Sequence, residues 1–240
     1  MKITRLFAVL LVFSTVPQAH AQDGVLKIQS AVSFSKIARL ERLNVRDKSF
    51  SARCVIPVFR ARTPLARFAN SQIAASQKGA FRSWVTRTRE ILKNNPTSLP
   101  YEYRSVPSLS FYSPTLISLR FDSYQFMGGA HGLANMQTRN FAIVNGKPKE
   151  LVLSDLFRPG TNYRALVEQK VFANLRRNPG AMWVHDKSVK KLENSQFNNF
   201  TITQNALTWL FNEYEVGPYA NGQFEVKIMK SELGLAPPAK

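Results

Sequence analysis

The longest regular pattern in this sequence is helical and extends from Pro64 to about Lys93. Thr63 is a suitable N-cap, and Pro64 suits the first helical position. At about 100° per residue, one side of the segment carries seven apolar residues: Ile73, Ala80, Phe81, Trp84, Val85, Ile91 and Leu92. Such a helix has to bury its apolar stripe against a second layer of structure. Asn94-Asn95-Pro96 predicts where it ends.

Strand-like segments lie on both sides of this helix. Alternation, β-branched and aromatic residues, and turn signals predict strands at 24–31, 50–59, 101–112, 115–127, 133–144, 150–153, 200–211 and 223–229. Asn145-Gly146 predicts a tight hairpin before the strand at 150–153. A second, shorter helix is predicted from Asn162 to Arg177. The fold class is therefore α+β, a largely antiparallel sheet with one long and one shorter helix packed against it.

The first 21 residues have the features of a secretory signal peptide. Lys2 and Arg5 precede an apolar run from Leu6 to Val16, and Ala19-His20-Ala21 fits a cleavage site. The run is about half the length that a membrane-spanning helix needs. We expect a periplasmic or secreted protein, with an uncleaved N-terminal anchor as the alternative. Beyond the leader we expect a companion segment at 22–125 and a C-terminal region at 126–235, together forming one compact unit.

The chain has one cysteine, Cys54, so it cannot form an internal disulfide. Cys54 does not follow the cleavage site, so it does not indicate a lipid anchor. It lies inside the strand-like run from Phe50 to Phe59, where we expect it to be buried as a small apolar residue. Stability must then come from the packed core.

The chain is strongly basic, with a formal net charge of +18 that includes two charges of the leader. Such an excess attracts anionic surfaces. Five basic residues fall within an arc of roughly 80° on the long helix: Arg67, Lys78, Arg82, Arg89 and Lys93. Two interpretations stay open for this basic stripe. It is either a solvated face or a binding surface for an anionic polymer or nucleic acid.

His131 lies in the glycine-rich segment Met127-Gly-Gly-Ala-His-Gly132. Its imidazole either holds this turn through a hydrogen bond to the backbone or serves as a binding or catalytic group. His185 is expected on a solvated surface. Because the sequence carries none of the common hydrolase or phosphate-binding motifs, and its two histidines after the leader are far apart, we predict no catalytic residue beyond His131 as a weak candidate, no metal site and no cofactor.

Three segments carry a family resemblance: Tyr124-Gln-Phe-Met-Gly-Gly-Ala-His-Gly132, Thr138-Arg-Asn-Phe-Ala-Ile-Val-Asn-Gly-Lys147 and Leu151-Val-Leu-Ser-Asp-Leu-Phe157. In this order they resemble an extracytoplasmic bacterial domain of unknown function. That domain occurs in RsiV-type lysozyme-sensing anti-sigma factors and beside the catalytic domain of PdaC-type polysaccharide deacetylases. The tail Tyr214-Glu-Val-Gly-Pro-Tyr-Ala-Asn-Gly222 is similar too, and Tyr219 in it is our further candidate binding residue.

The resemblance implies a non-catalytic, RsiV-like binding module of the cell envelope, whose ligand is an envelope polymer or a protein. The positive net charge favours a ligand with an anionic surface. Two other functions stay open. One is anionic-polymer or nucleic-acid binding through the basic stripe; the other is an uncharacterised enzyme using His131 with Asp122 or Asp155. Tight binding of animal lysozyme is not expected, because both proteins are basic. The acids that could still dock lysozyme are Glu213, Glu215 and Glu225.

Overall fold

A computed structural model describes residues 34–97 and 99–236. The signal peptide predicted at 1–21 and the strand predicted at 24–31 lie outside these residues. The helices are α1 (Phe34–Ile37), α2 (Pro64–Asn94), α3 (Tyr163–Leu175), α4 (Met182–His185) and α5 (Asn194–Asn198). Single 3-10 turns lie at Leu153–Leu156, Tyr219–Asn221 and Lys230–Leu233.

In the described part of the chain, nine strands form two sheets. The first sheet has its six strands in chain order: β1 (Ala38–Arg46), β2 (Phe50–Phe59), β3 (Tyr101–Tyr112), β4 (Leu116–Phe126), β5 (Leu133–Val144) and β6 (Lys147–Glu150). The second has the order β7-β8-β9, from β7 (Phe200–Ile202), β8 (Ala206–Phe211) and β9 (Phe224–Met229). Every pair is antiparallel except β2 with β3, which α2 connects as a crossover. The predicted α+β class, largely antiparallel with one long helix, is confirmed.

Helix α2 packs its apolar side on the first sheet. Thr63 caps it, since its hydroxyl accepts the backbone N–H of Ala66 at 3.2 Å. Its buried face includes the rings of Phe81 and Trp84, which contact Tyr103 of β3. Ala80, predicted in this stripe, is instead exposed. The buried face also includes the polar residues Gln77 and Thr88. Its centre therefore lies further from Ala80 than the apolar residues alone predict.

Cys54 is buried, as predicted. Its thiol lies 3.9 Å from Oε1 of Gln77, which also accepts the Ser105 hydroxyl at 3.1 Å. Burial raises the pKa of the Cys54 thiol to about 11. The thiol is therefore neutral at physiological pH and acts as a core residue.

Two strand predictions need correction, and one strand was not predicted. The strand predicted at 150–153 is instead β6, because Asn145 and Gly146 adopt positive φ angles and the chain re-enters the sheet at once. The single strand predicted at 200–211 is a hairpin, since Thr203 turns the chain between β7 and β8. Strand β1 was missed because charged and polar residues alternate along it with apolar residues that are mostly only partly buried.

The two sheets meet along the first half of β5, where side chains replace a neighbouring strand. Asn199 accepts the Thr138 N–H at 3.1 Å and donates to the carbonyls of Met136 and Leu210 at 3.0 and 2.9 Å. Asn212 accepts the Met136 N–H at 2.6 Å. These side chains connect β5 to the second sheet. The domain boundary predicted at 125/126 falls inside β4, just before its last residue, and β4 pairs with β5.

Replacing Asn199 by alanine leaves a donor and two acceptors at this junction without their partner. We expect Asn199→Ala to lower the free energy of unfolding by about 2–3 kcal/mol. Chemical denaturation measures this, with Asn94→Ala at the exposed end of α2 as the matched control. We expect the control to stay within about 0.5 kcal/mol of the wild type. Equal stability of the two variants would show that the Asn199 hydrogen bonds contribute little to the free energy of unfolding.

Candidate functional site

The basic stripe lies on α2 as predicted in sequence, but its members differ in their surroundings. Arg67, Arg82, Arg89 and Lys93 are exposed. Lys78 is only partly exposed and forms an ion pair with Glu41 of β1 at 2.7 Å. The neighbouring aromatic residues Phe81 and Trp84 are buried, so they are not placed to stack on a nucleic-acid base. A binding role for the stripe stays a prediction.

The other two predicted binding residues meet in space. The rings of His131 and Tyr219, 88 positions apart in sequence, stack with centroids 3.7 Å apart and an interplanar angle of 19°. Tyr214 lies 5.8 Å from Tyr219 between ring centroids, and Trp183 lies 6.4 Å from Tyr214. Tyr124 lies against Gly132, the residue after His131. These five residues form the aromatic cluster: Tyr124, His131, Trp183, Tyr214 and Tyr219.

The glycine-rich turn between β4 and β5 positions His131. Gly128 and Gly129 have φ angles of +88° and +91°, which side chains disfavour. A Cβ on Gly132 would collide with the ring of Tyr124, so glycine lets that ring pack on the turn. His131 Nδ1 lies 3.0 Å from the Gly132 carbonyl oxygen. This is the backbone contact that the turn-holding hypothesis expects, and His131 is nevertheless exposed while one face of its ring is stacked on Tyr219.

Tyr214 lies in the turn that follows β8, in a left-handed conformation with φ +66°. Such a conformation is unfavourable for a bulky residue. The turn is held by Glu215, whose carboxylate accepts the Asn212 N–H at 2.8 Å. Tyr214 is nevertheless 48% exposed, and its hydroxyl lies 3.5 Å from His131 Nε2. A strained backbone that presents an exposed ring is typical of a functional position.

Trp183 comes to the cluster from α4. Its backbone N–H donates to the Val216 carbonyl at 3.1 Å, which joins α4 to the turn that carries Tyr214 and Tyr219. Gly217 permits this approach, since a Cβ there would lie 2.5 Å from the Gly180 carbonyl oxygen. Next to Trp183, Met182 is 51% exposed. Helix α4 therefore carries an exposed apolar side chain next to Trp183.

One carboxylate lies beside the cluster. Glu213 accepts the Ala134 N–H at 3.2 Å. Burial raises the pKa of Glu213, while that hydrogen bond and the charge of His131 act in the opposite direction. Burial is the main cause that raises the pKa of Tyr219. Negative charge on Glu213, Tyr124 or Tyr214 raises it further. The phenol of Tyr219 is therefore a neutral hydrogen-bonding group at physiological pH.

The acids named with His131 in the enzyme hypothesis are engaged elsewhere. Asp122 pairs with Arg120 at 3.1 Å, and Asp155 pairs with Lys149 at 2.6 Å and accepts the Val152 N–H at 3.0 Å. His185 is exposed, as predicted. Within residues 34–97 and 99–236, no group of three His, Cys, Asp or Glu side chains is arranged to hold a metal ion. In the same part of the chain, no helix has the length and apolar character to cross a membrane.

Sequence reasoning missed Tyr124, Trp183 and Tyr214 as site residues. Tyr214 shares a turn-rich segment with Tyr219, and exposed tyrosines in a turn are the signal that could have found it. Trp183 follows Asn178-Pro-Gly180 in a short helix, and its sequence surroundings give no such signal. Only the fold brings it to the other rings.

Two family models match consecutive parts of the chain. Residues 44–134 match "Deacetylase PdaC", and residues 154–231 match "Protein of unknown function (DUF3298)". This chain carries a PdaC/DUF3298-type domain of unknown function. The resemblance noted in the sequence is confirmed. The aromatic cluster draws Tyr124 and His131 from the first matched part, and Trp183, Tyr214 and Tyr219 from the second.

Relatives agree with this assignment. The chain is 24% identical over 196 residues to the peptidoglycan-N-acetylmuramic acid deacetylase PdaC of Bacillus subtilis, a match that covers 78% of this chain. It spans only 38% of that protein's length. The similarity supports an envelope-associated, extracytoplasmic type of domain.

Two solved structures share the fold. A DUF3298 family member from Bacteroides fragilis aligns with a TM-score of 0.60 and 18% identity, over 89% of this chain and 96% of that one. A DUF3298 family protein from Pseudomonas aeruginosa aligns with a TM-score of 0.62 and 18% identity, over 86% of this chain and all of that one. At this identity the likeness concerns the fold.

Proposed function

We propose that this chain is a non-catalytic binding module that holds a glycan strand of the cell envelope on its aromatic cluster. The observation that carries the proposal is the stack of His131 on Tyr219, extended by Tyr214 and Trp183 at the protein surface. The rings come from three places in the chain, the glycine-rich turn of His131, the short helix of Trp183 and the segment after β8 that carries Tyr214 and Tyr219, and several glycines permit their approach. The fold therefore maintains these rings together although they are partly exposed to water.

Rings arranged in this way suit sugars. A pyranose ring has an apolar face of C–H groups that packs on an aromatic face, and hydroxyls at its rim that need hydrogen-bond partners. Aromatic side chains provide a large apolar surface, and tyrosine adds a polar group at its edge. Here the hydroxyls of Tyr214 and Tyr219, the imidazole of His131 and the carboxylate of Glu213 surround the rings.

The name of the Bacillus relative suggests which glycan. That protein is named a deacetylase of N-acetylmuramic acid in peptidoglycan. A module that accompanies such an enzyme, or acts without it, has a use for holding the same polymer. We therefore propose peptidoglycan glycan strands, made of alternating N-acetylated amino sugars, as the ligand of the aromatic cluster.

The test uses a peptide-free tetrasaccharide of peptidoglycan and isothermal titration calorimetry. We expect Tyr219→Ala and Tyr214→Ala each to weaken binding about tenfold, since each variant loses the apolar contact between ring and sugar, worth on the order of 1–2 kcal/mol. The matched control is Tyr163→Ala, because Tyr163 is, like Tyr219, a partly exposed tyrosine stacked on an aromatic ring, that of Phe157 at 5.2 Å between centroids. We expect the control to bind like the wild type.

Two results would contradict the proposal. Equal affinity of wild type and Tyr219→Ala would remove the aromatic cluster as the glycan site. Mass spectrometry of the tetrasaccharide after incubation tests whether the module is non-catalytic. A chemical change made by the wild type and lost in His131→Ala would show a catalytic function.

We also propose that animal lysozyme is not a tight partner. The three acids that could attract a basic lysozyme already have internal contacts: Glu213 with Ala134, Glu215 with Asn212, and Glu225 with Arg120. Like-charged proteins repel at long range, and salt screens that repulsion.

Calorimetry with hen lysozyme tests this second point. We expect no complex tighter than micromolar at physiological salt, and any weak binding should strengthen as salt is raised from low values. A sub-micromolar complex that weakens with added salt would show that the acids remain available and that the charge argument is wrong.

A further inference from the structure

The side of the first sheet that faces away from α2 forms a basic groove at strands β1, β2 and β3. The groove has a volume of about 980 Å³. Its charged lining consists of five basic residues and one acid: Arg42, Arg46, Lys48, Arg53, Arg104 and Asp47. The residues that face α2, such as Phe50 and Tyr103, contact Trp84. The alternate residues of these strands are therefore available to line the opposite side.

Most of these cations have no acidic partner among the residues that the structure describes. Arg42, Arg46, Lys48 and Arg53 form no ion pair with any acid of residues 34–97 and 99–236. Arg104 differs, since it pairs with Glu102 at 3.0 Å. Asp47 has its carboxylate 2.6 Å from the N–H of Lys48 and so helps to shape the β1–β2 turn. The groove therefore has a local excess of positive charge.

The spacing of these cations suits an extended acidic chain. Arg42 and Arg46 are four residues apart on β1, which corresponds to about 13 Å. Arg53 on β2 is in register with Asn44, between those two positions, and with Arg104 on the next strand. Like charges in register on neighbouring strands repel. An anion between them relieves this repulsion, and guanidinium groups bind carboxylates in a bidentate manner.

The basic groove continues into the aromatic cluster. The guanidinium of Arg104 lies 5.2 Å from the centre of the Tyr124 ring. Tyr124 packs on Gly132, the neighbour of His131, whose ring stacks on Tyr219. One surface therefore carries rings at one end and cations at the other. A ligand that combines sugars with acidic branches complements both ends.

We infer that the basic groove binds the acidic peptide branch of the same polymer whose sugars lie on the aromatic cluster. This inference rests on the proposed function for the identity of the polymer. Because the groove is concave, it accommodates a chain better than the flat surface of a lipid bilayer. Several carboxylates along the peptide would contact Arg42, Arg46 and Arg53 together.

The test compares two triple variants of the full mature chain. Arg42→Gln/Arg46→Gln/Arg53→Gln changes the groove, and the α2 variant, Arg60→Gln/Arg62→Gln/Arg87→Gln, removes the same charge from exposed positions on α2 and just before it, outside the basic stripe. The probe is a disaccharide–peptide fragment of peptidoglycan with free carboxylates. We expect the groove variant to bind it at least tenfold more weakly at low salt and with a flatter salt dependence. The α2 variant should stay within twofold of the wild type.

Further probes separate the contribution of the peptide. The peptide-free disaccharide should bind the wild type and both variants equally. The fragment with amidated carboxylates should bind the wild type no better than that disaccharide does. Equal losses in the two triple variants, or tight binding of the amidated fragment, would overturn the inference. Binding of phosphatidylglycerol vesicles that depends on the groove, without binding of the fragment, would overturn it in favour of a lipid surface.

A failure of the proposed function gives a different result. If the wild type does not bind the peptide-free glycan, the free acidic peptide decides the role of the groove. Binding of that peptide by the wild type and its loss in the groove variant would support an acidic-peptide site without the sugar site. No binding of the peptide to the wild type would overturn the inference about the groove.

Discussion

The side chains of Asn199 and Asn212 take the place of a neighbouring strand for the first half of β5. The position of the second sheet relative to the first depends on the hydrogen bonds of these side chains. Their amides bond with the N–H groups of Thr138 and Met136 and with the Met136 carbonyl, which would otherwise lack partners at a junction of two sheets. An unpaired backbone group at such a place would cost about 1–3 kcal/mol. The second sheet is therefore positioned by specific polar contacts as well as by its apolar core.

The aromatic cluster is a consequence of this junction. Tyr214 comes two residues after Asn212, while His131 comes five residues before Met136 in the chain. The hydrogen bond between Asn212 and Met136 brings the two turns to the same place, and the bond of Glu213 to Ala134 extends it. Rings from two separately matched parts of the chain then stack. The basic groove lies on the first sheet, whose strand β4 carries Tyr124 to the cluster.

Local pattern predicted much of the fold. The cap at Thr63, the strand at Phe50–Phe59 and the hairpin at Asn145-Gly146 all depend on neighbouring residues, so the sequence shows them. Strand β1 was missed because only long-range pairing makes its polar sequence a strand. Of the cluster, His131 and Tyr219 were found from their turns, whereas Trp183 comes from a short helix that only tertiary contacts bring to the site. The basic groove was missed because its cations lie on three separate strands.

The measurement that tests this account most directly combines amide hydrogen exchange with glycan affinity in Asn212→Ala. Asn212 is none of the five residues of the aromatic cluster, so its effect on binding has to pass through the junction. We predict faster exchange of the Met136 amide together with a loss of peptidoglycan-glycan affinity comparable to that of Tyr214→Ala. Faster exchange at Met136 with unchanged affinity would contradict the claim that the junction positions the site.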